Sequence, residues 1–420
     1  MIFNYKLYII LIIYSFSFSQ EVRWMSIGDL HNWYSAAGSE IEIGRTGQIS
    51  DQQDGLRYPA FYRAQDNQAS KGLWLGTTNF YDPIVNKAYT HKVVHAGPRH
   101  LDIESETIPV KLTMDGRHDH TNVLVDNNPA TNLQYSDKVD NIDPSLVSDR
   151  RINNIVQTTM GVEIRRTIYA FSHPDHQNYH IQEYVFKNNG CYDKDCNTSY
   201  EQTLEGFQVY LQYRYAISRE GMVYDGNWLP QSAAWGHNTM NDVIGENPDS
   251  PSSNDQFYEN GEIMRAFFSW HGYHSDASFD NIGGPNSPGE GRLGAAQFAG
   301  VATLHADKGS HDKSDDINQP STTWFITSDD ATTSGNDQYN ENKSFNEYNN
   351  YMTVGDPDLS QAEHVGFSNA NQFNDPRTGS NPGGTSQGIG FGPYTLEHGD
   401  SIRIVLAEAV SGLSKEMCYI

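Results

Sequence analysis

The strongest pattern in the chain is an alternation of apolar and polar positions over residues 204–217. Every second side chain there is apolar or aromatic: Phe207, Val209, Leu211, Tyr213, Tyr215 and Ile217. A strand turns successive side chains to opposite faces, so these six share one face, whereas a helix would scatter them around its circumference. The pattern predicts a long central strand of a large sheet, with only this face in the core.

Weaker alternations predict the remaining elements. Further strands are expected at 71–80, 88–94, 107–114, 122–125, 162–171, 179–187, 262–270, 292–305, 322–327, 392–396 and 401–410, and a helix at 339–352. Residues 20–55, 126–149 and 218–261 are expected to be mostly turns and loops. The succession 162–171, 179–187 and 204–217 suggests an antiparallel meander. The prediction is a mainly β protein, one large antiparallel β-sandwich domain at 20–420 with long loops and few short helices.

Residues 1–19 have the pattern of a secretory signal peptide. Lys6 supplies the positive charge, residues 7–14 form an apolar core too short to span a bilayer, and Ser17 and Ser19 suit a signal peptidase. Cleavage is expected before Gln20, with the mature chain secreted or held at the cell surface. At the other end the sequence stops within the first turn of an expected helix, which suggests that the natural protein continues beyond Ile420.

The composition narrows the classes of partner. The formal net charge is −25, with 53 acidic against 28 basic residues, which argues against nucleic-acid binding because that requires a basic surface. Aromatic residues make up 12% of the chain and can supply a large core despite its low hydrophobicity. An acidic, highly solvated protein outside the cell fits this composition.

Three cysteines are present. Cys191 and Cys196 bracket a short acidic loop between two predicted strands, and in an oxidising compartment a disulfide between them is expected. Their spacing and the lack of further cysteine pairs disfavour a metal or redox site. Cys418 is left without an assigned partner.

Acidic loop residues are candidate calcium ligands. They are Asp307, Asp312, Asp315, Asp316, Asp329 and Asp330. Calcium takes oxygen ligands from loops of this composition, so calcium is the one cofactor that the sequence suggests. Ordinary solvated acidic loops are the alternative, since no EF-hand spacing or calcium-binding repeat is present.

Aromatic residues in or beside polar loops are candidate ligand-binding residues. They are Trp228, Trp235, Trp270, Tyr273 and Trp324. Flat aromatic rings among Asn, Asp and His suit stacking against sugar rings, although the same residues also suit loops folded back over a sheet. No catalytic residues can be assigned: no nucleophile elbow, P-loop or dinucleotide motif occurs, and 53 acidic residues allow any carboxylate pair.

Short segments across the chain carry a resemblance. They are QDGL at 53–56, KGLW at 71–74, GTTNF at 76–80, NTMND at 238–242, WHGY at 270–273, DNIGGP at 280–285, GRLGAAQF at 291–298 and QPSTT at 319–323. With these the chain resembles large secreted proteins of unassigned activity from marine and environmental bacteria related to Bacteroidota. Such proteins often continue into a fibronectin-like module and a sorting domain for type IX secretion, and the resemblance implies no catalytic residues. Residues 179–189 and 394–410 are loosely similar to supersandwich strands of carbohydrate-active enzymes, which implies only a fold.

Three functions follow as hypotheses. The leading one is a non-catalytic extracellular protein that binds glycan or another surface component through loop aromatics. A polysaccharide hydrolase or lyase on the same scaffold is the second. A structural component of a surface layer or matrix is the third.

Overall fold

The computed structural model describes residues 21–41, 55–61, 66–96, 106–119, 124–129, 139–215, 217, 223–224, 227–228, 239–244, 264–271, 297–327, 338–356 and 385–413. The expected signal peptide and the C-terminal end therefore lie outside the described residues, as do Trp235, Tyr273, Asp329, Asp330 and Cys418.

The described residues are mainly β. The strands are β1 Val22–Met25, β2 Asn32–Ser35, β3 Glu40–Ile41, β4 Gln68–Asp82, β5 Lys87–Ala96, β6 Thr107–Gly116, β7 Leu124–Val125, β8 Asn128–Pro129, β9 Asn141–Ile142, β10 Arg150–Thr158, β11 Val162–Ala170, β12 Tyr179–Asn188, β13 Leu204–Tyr215, β14 Val223–Tyr224, β15 Asn227–Trp228, β16 Thr239–Ile244, β17 Ala266–His271, β18 Gln297–Ala306, β19 Thr322–Thr327, β20 Thr385–Leu396 and β21 Ser401–Gly412. Helix α1, Glu341–Glu347, continues into a π-helical turn, Tyr348–Met352, where the sequence predicts a helix.

Two large sheets pack face to face, as the sequence predicts. The nine-stranded sheet has the order β16-β17-β18-β21-β12-β11-β10-β6-β9, and the six-stranded sheet has β19-β20-β13-β4 followed by β3 and β5, which both pair with β4. Both sheets are antiparallel apart from the short β6–β9 pairing. Their inner faces share one hydrophobic core, to which the six-stranded sheet contributes Leu73 and Leu211 and the nine-stranded sheet Phe186 and Ile404. This is an open antiparallel β-sandwich.

Strand β13 lies between β20 and β4, so the predicted central position is confirmed. Its odd-numbered apolar residues all belong to the inner core. The expectation that only this face is buried is wrong. The even-numbered residues of β13 from Gln208 to Arg214 are buried as well, among them Tyr210 and Gln212, both 0% exposed. Tyr348 and Met352 of the π-helical turn pack against Tyr210, so a second layer covers part of the outer face.

The predicted meander is correct only for its first two strands. Strands β11 and β12 pair, but β12 then pairs with β21, and β13 belongs to the other sheet. The loop after β12 carries the chain across the sandwich. Gly190 turns it with a φ of +66°, and a Cβ there would lie 2.7 Å from the carbonyl oxygen of Tyr200. A crossing between sheets leaves each strand's alternation unchanged, which is why the pattern could not show it.

Candidate functional site

An aromatic cluster lies on the outer face of the six-stranded sheet, away from the shared core. Tyr210 of β13 stands opposite Trp74 of β4, with ring centroids 5.3 Å apart. The imidazole of His95 meets the Trp74 ring edge-on at 5.0 Å, and Tyr351 approaches Trp74 at 6.2 Å. Aromatic pairs at these distances and angles are attractive beyond their buried area, so the cluster is rigidly packed.

In the next row of residues along the same face, glycines flank the central residue on both neighbouring strands. Gln212 lies opposite Gly72 on β4 and opposite Gly388 on β20, and Gly388 in turn lies opposite Trp324 on β19. A Cβ at Gly388 would overlap the Tyr210 hydroxyl, so only glycine permits that ring position. Glycine in a strand interior is typical of sites where another group approaches the backbone closely. We call the surface formed by Trp74, Tyr210, Gln212, Trp324 and Gly388 the aromatic face.

Gln212 is the unusual residue of the aromatic face. Its side chain is 0% exposed, yet neither Nε2 nor Oε1 has a hydrogen-bond partner. The indole nitrogen of Trp74 is likewise buried without a partner. Each unsatisfied buried group costs about 1–3 kcal/mol. Native proteins leave few such groups, and those that remain call for an explanation, functional use among the first.

Helix α1 and its π-helical turn are fixed over one side of this face. Asn340 caps the helix by accepting a hydrogen bond from the Lys343 backbone nitrogen at 3.2 Å, and the Ser344 hydroxyl accepts one from the Val93 nitrogen at 3.3 Å. At Gly76 a Cβ would lie 2.8 Å from the Met352 sulfur. The π-helical turn therefore packs directly against Gly76 of β4.

A buried histidine between two carboxylates attaches this helix to the sheet. His95 Nδ1 lies 2.7 Å from Glu106 Oε2, and its Nε2 lies 2.9 Å from Glu347 Oε2. Burial by itself lowers the pKa of His95, but the charges of Glu347 and Glu106 and their hydrogen bonds outweigh it and raise the pKa to about 10. The pKa of Glu106 is lowered, because His95 more than offsets the opposite effect of burial. The group is an imidazolium clamped by two carboxylates.

Of the sequence-predicted aromatic residues, Trp270 and Trp324 are the two whose side chains the structure describes, and they lie on different sheets. Trp324 is half-buried on the aromatic face, packed against the cluster of Trp74 and Tyr210. Trp270 lies on β17 of the other sheet and is half-buried on its outer side. The backbone of Trp228 pairs with Val223 in the β14–β15 hairpin. Trp235 and Tyr273 lie outside the described residues.

Four of the six predicted calcium ligands lie in the described part of the chain, and each has protein partners. Asp307 accepts from Lys313 Nζ at 2.9 Å and from the Arg403 backbone nitrogen at 2.8 Å. Asp315 pairs with Arg265 at 3.0 Å. The remaining two, Asp312 and Asp316, accept hydrogen bonds from the backbone nitrogens of Ser314 and Asn318. Across the described ranges no group of three or more His, Cys, Asp or Glu side chains is placed to hold a metal.

The cysteine loop contains a disulfide between Cys191 and Cys196, with Cα atoms 4.8 Å apart. Within it, the Asp193 carboxylate accepts hydrogen bonds from the backbone nitrogens of Asp195, Asn197 and Thr198. The first two of these nitrogen–oxygen distances are 3.0 Å and the third is 2.6 Å. Asp193 therefore stabilises the turn by accepting these backbone hydrogen bonds.

No protein-family model matches the chain, and no curated protein matches it significantly.

Proposed function

We propose that this chain is an exported protein that binds a glycan on the aromatic face of its six-stranded sheet. The observation that carries the proposal is Gln212, whose amide is buried in a glycine-flanked row with both polar atoms unpartnered. An amide offers a donor and an acceptor side by side, and a sugar hydroxyl group offers the complementary pair. A ligand that supplied these partners would remove a cost that the free protein carries.

The neighbours of Gln212 suit a sugar ring better than an apolar or a nucleic-acid ligand. The rings of Trp74 and Tyr210 are buried beside the amide and that of Trp324 is half-buried, and specific sites combine aromatic groups of this kind with a few placed polar groups. A purely apolar ligand would leave the amide unpartnered. A polyanionic nucleic acid would meet a protein of net charge −25.

Replacing Gln212 by Leu is expected to separate binding from stability. The variant Gln212→Leu should weaken binding at least about tenfold, since a lost partner leaves sugar hydroxyls unpaired. Its free energy of unfolding should stay level or rise, because the unsatisfied amide is gone. Binding to a panel of marine and plant polysaccharides is measured by affinity electrophoresis and calorimetry, and stability by urea unfolding.

Trp324→Ala and Trp270→Ala form the matched pair for this experiment. Both remove a half-buried tryptophan from a strand, but only Trp324 belongs to the aromatic face. Trp324→Ala should weaken binding and Trp270→Ala should not. Glycan binding that survives both Gln212→Leu and Trp324→Ala would place the site elsewhere, and no binding to any polysaccharide would remove the proposal.

The two other functions give different outcomes in the same assay. A hydrolase or lyase would release new reducing ends or unsaturated products from a bound polysaccharide. A structural surface or matrix component would assemble with copies of itself without glycan. The glycan-binding proposal expects binding with no product and no such assembly.

Export rests on the sequence of residues 1–19. No helix among the described residues is long and apolar enough to cross a membrane. N-terminal sequencing of protein secreted by its native host should begin at Gln20. Attachment to the cell surface through a type IX sorting domain stays a proposal.

Calcium binding at the acidic loops remains part of the proposal. Several of the aspartates sit close together in the hairpin that follows β18, where Asp307 and Asp315 form a backbone bridge. Extracellular calcium sites have dissociation constants of about 0.1–1 mM, so 10 mM calcium should stabilise the fold by about 1–3 kcal/mol. A thermal melt with calcium against chelator at matched ionic strength measures this. A midpoint that does not rise, or rises equally with magnesium, would leave only general charge screening.

A further inference from the structure

A lysine and two glutamates meet in the core between the two sheets. Lys71 is on β4 of the six-stranded sheet, and Glu408 is on β21 of the nine-stranded sheet. Lys71 Nζ lies 2.5 Å from Glu408 Oε2 and 3.5 Å from Glu40 Oε2. The three side chains are 2%, 0% and 0% exposed. Bulk water therefore does not reach the contact between the amine and the carboxyl group.

Hydrogen-bond donors are arranged around both oxygens of Glu408. The Tyr215 hydroxyl donates to Oε1 at 2.8 Å, and Gln182 Nε2 donates to Oε2. Aromatic rings enclose the amine, with Tyr34 and Tyr213 centred 5.7 Å and 5.6 Å from Lys71 Nζ. Burial lowers the pKa of Lys71, but Glu408 and Glu40 outweigh it and raise that pKa, so the amine at rest is an ammonium.

The charge of Glu40 is compensated by a second cation, Arg166, which does not belong to this pair. Its Oε1 accepts a hydrogen bond from Arg166 Nη1, and Arg166 also donates to the Ser35 carbonyl oxygen at 2.9 Å. The cluster thus holds two positive and two negative groups. If the charges of Lys71 and Glu408 disappeared together, the Arg166–Glu40 pair would remain neutral as a unit.

We propose that Lys71 and Glu408 condense into an intramolecular amide bond that links the two sheets covalently. One ammonium proton first passes to Oε2 of Glu408, which frees the Nζ lone pair to attack Cδ. The C–N bond then forms and the bond from Cδ to Oε2 breaks. Two of the three ammonium protons pass to Oε2, one directly and one through Glu40 Oε2, and Oε2 leaves as water. The third proton stays on the amide nitrogen, so an ammonium and a carboxylate become an amide and water with no further reactant.

The surroundings favour this reaction over the ion pair. Two buried charges vanish, and isolated or imperfectly compensated charge is costly in a dry interior. The groups are held in contact by both sheets, so the reaction has the advantage of an intramolecular step. Tyr215 binds Oε1, the oxygen that is retained, where negative charge develops during the attack.

The mass of the intact mature protein tests the proposal without any variant. The folded protein, purified with its disulfide and then denatured and reduced, should be lighter than its sequence by one water molecule. Digestion with trypsin should leave the bond after Lys71 uncut and yield a branched peptide that joins Lys71 to the segment containing Glu408. A full-length mass without water loss would overturn the proposal. So would a water loss that fragmentation places elsewhere, for example at an Asp or Asn succinimide.

Two variants and a control assign the roles. Lys71→Arg should show the full sequence mass, because a guanidinium does not form this amide. Glu40→Gln should leave at least half of the molecules unlinked when measured soon after folding, because one proton carrier is missing. Lys187→Arg, at an exposed position on β12, should keep the water loss. Complete linkage in Glu40→Gln would refute the role of Glu40, and linkage in Lys71→Arg would refute Lys71 as the amine.

Discussion

His95→Gln is expected to lower the free energy of unfolding by about 3–5 kcal/mol, the usual cost of removing one partner from a buried ion pair. The imidazolium lies between Glu106 and Glu347 at 2.7 and 2.9 Å, and all three side chains are nearly or fully buried. Glutamine carries no charge, so the variant leaves two carboxylates in the interior without the imidazolium, and Lys343 Nζ, 3.8 Å from Glu347 Oε1, compensates Glu347 in part. Urea unfolding followed by far-UV circular dichroism and tryptophan fluorescence measures the loss.

The pH dependence of the free energy of unfolding measures the contribution of His95 independently. The pKa of His95 rises from 6.5 to about 10 on folding, so its stabilisation is fully present below about pH 6.5 and is lost as the pH rises through 10. Over that window the free energy of unfolding should fall by up to about 1.4 kcal/mol per pH unit from this histidine alone. The His95→Gln variant should lack this part of the slope.

His173→Gln is the control, because that imidazole is 64% exposed in a turn. It should change stability by less than about 0.5 kcal/mol and leave the pH slope intact. A His95→Gln variant as stable as His173→Gln would mean that the two carboxylates share a proton and do not need the imidazolium.

Sequence periodicity predicts the sandwich because each sheet has an apolar inner face. The alternation in β11 and β12 follows burial position by position, and the inner-face residues of β13 and β21 are buried as well, so these strands are correctly predicted. β10 is missed. Its inward-facing Asn154 is polar, and the side-chain amide donates hydrogen bonds to the Ala36 and Lys111 carbonyl oxygens. A register shift in the pairing with β6 follows Ile155. Polar residues that are satisfied only by tertiary contacts cannot be recognised as core from a pattern.

The N-terminal residues show the same limit. The sequence indicates turns there with Trp24, Trp33 and Tyr34 as anchors, and all three are buried. Strands β1 and β2 nevertheless form a hairpin, in which Trp24 pairs with Trp33. Frequent glycines conceal such short strands, because the flanking turns dominate the local composition.

The functional candidates depend on contacts between distant parts of the chain. Trp324 stood out in the sequence because it is aromatic among polar residues. Gln212 did not, because its character comes from Gly388 beside it and from the lack of any partner for its amide. Lys71 and Glu408 are separated by 337 positions, so nothing local distinguishes either from an exposed charge. Long-range pairing across two sheets creates both sites.

Leu211→Ala and Gln212→Ala compare the two faces of β13 at neighbouring positions. Leu211 is 1% exposed in the shared core, and Gln212 is 0% exposed on the aromatic face. Leu211→Ala should cost about 2–5 kcal/mol through lost burial and the cavity left behind.

Gln212→Ala should cost less than half as much, although both side chains are buried. Truncation also leaves space there, but it removes an amide whose two polar atoms are unsatisfied, and each such atom already costs about 1–3 kcal/mol. Urea unfolding of both variants in one buffer gives the two free energies of unfolding. They can be compared if the free energy falls with urea concentration at the same slope in both variants. Equal losses at both positions would show that the Gln212 amide is satisfied in the free protein, and the argument for a ligand at the aromatic face would then lose its basis.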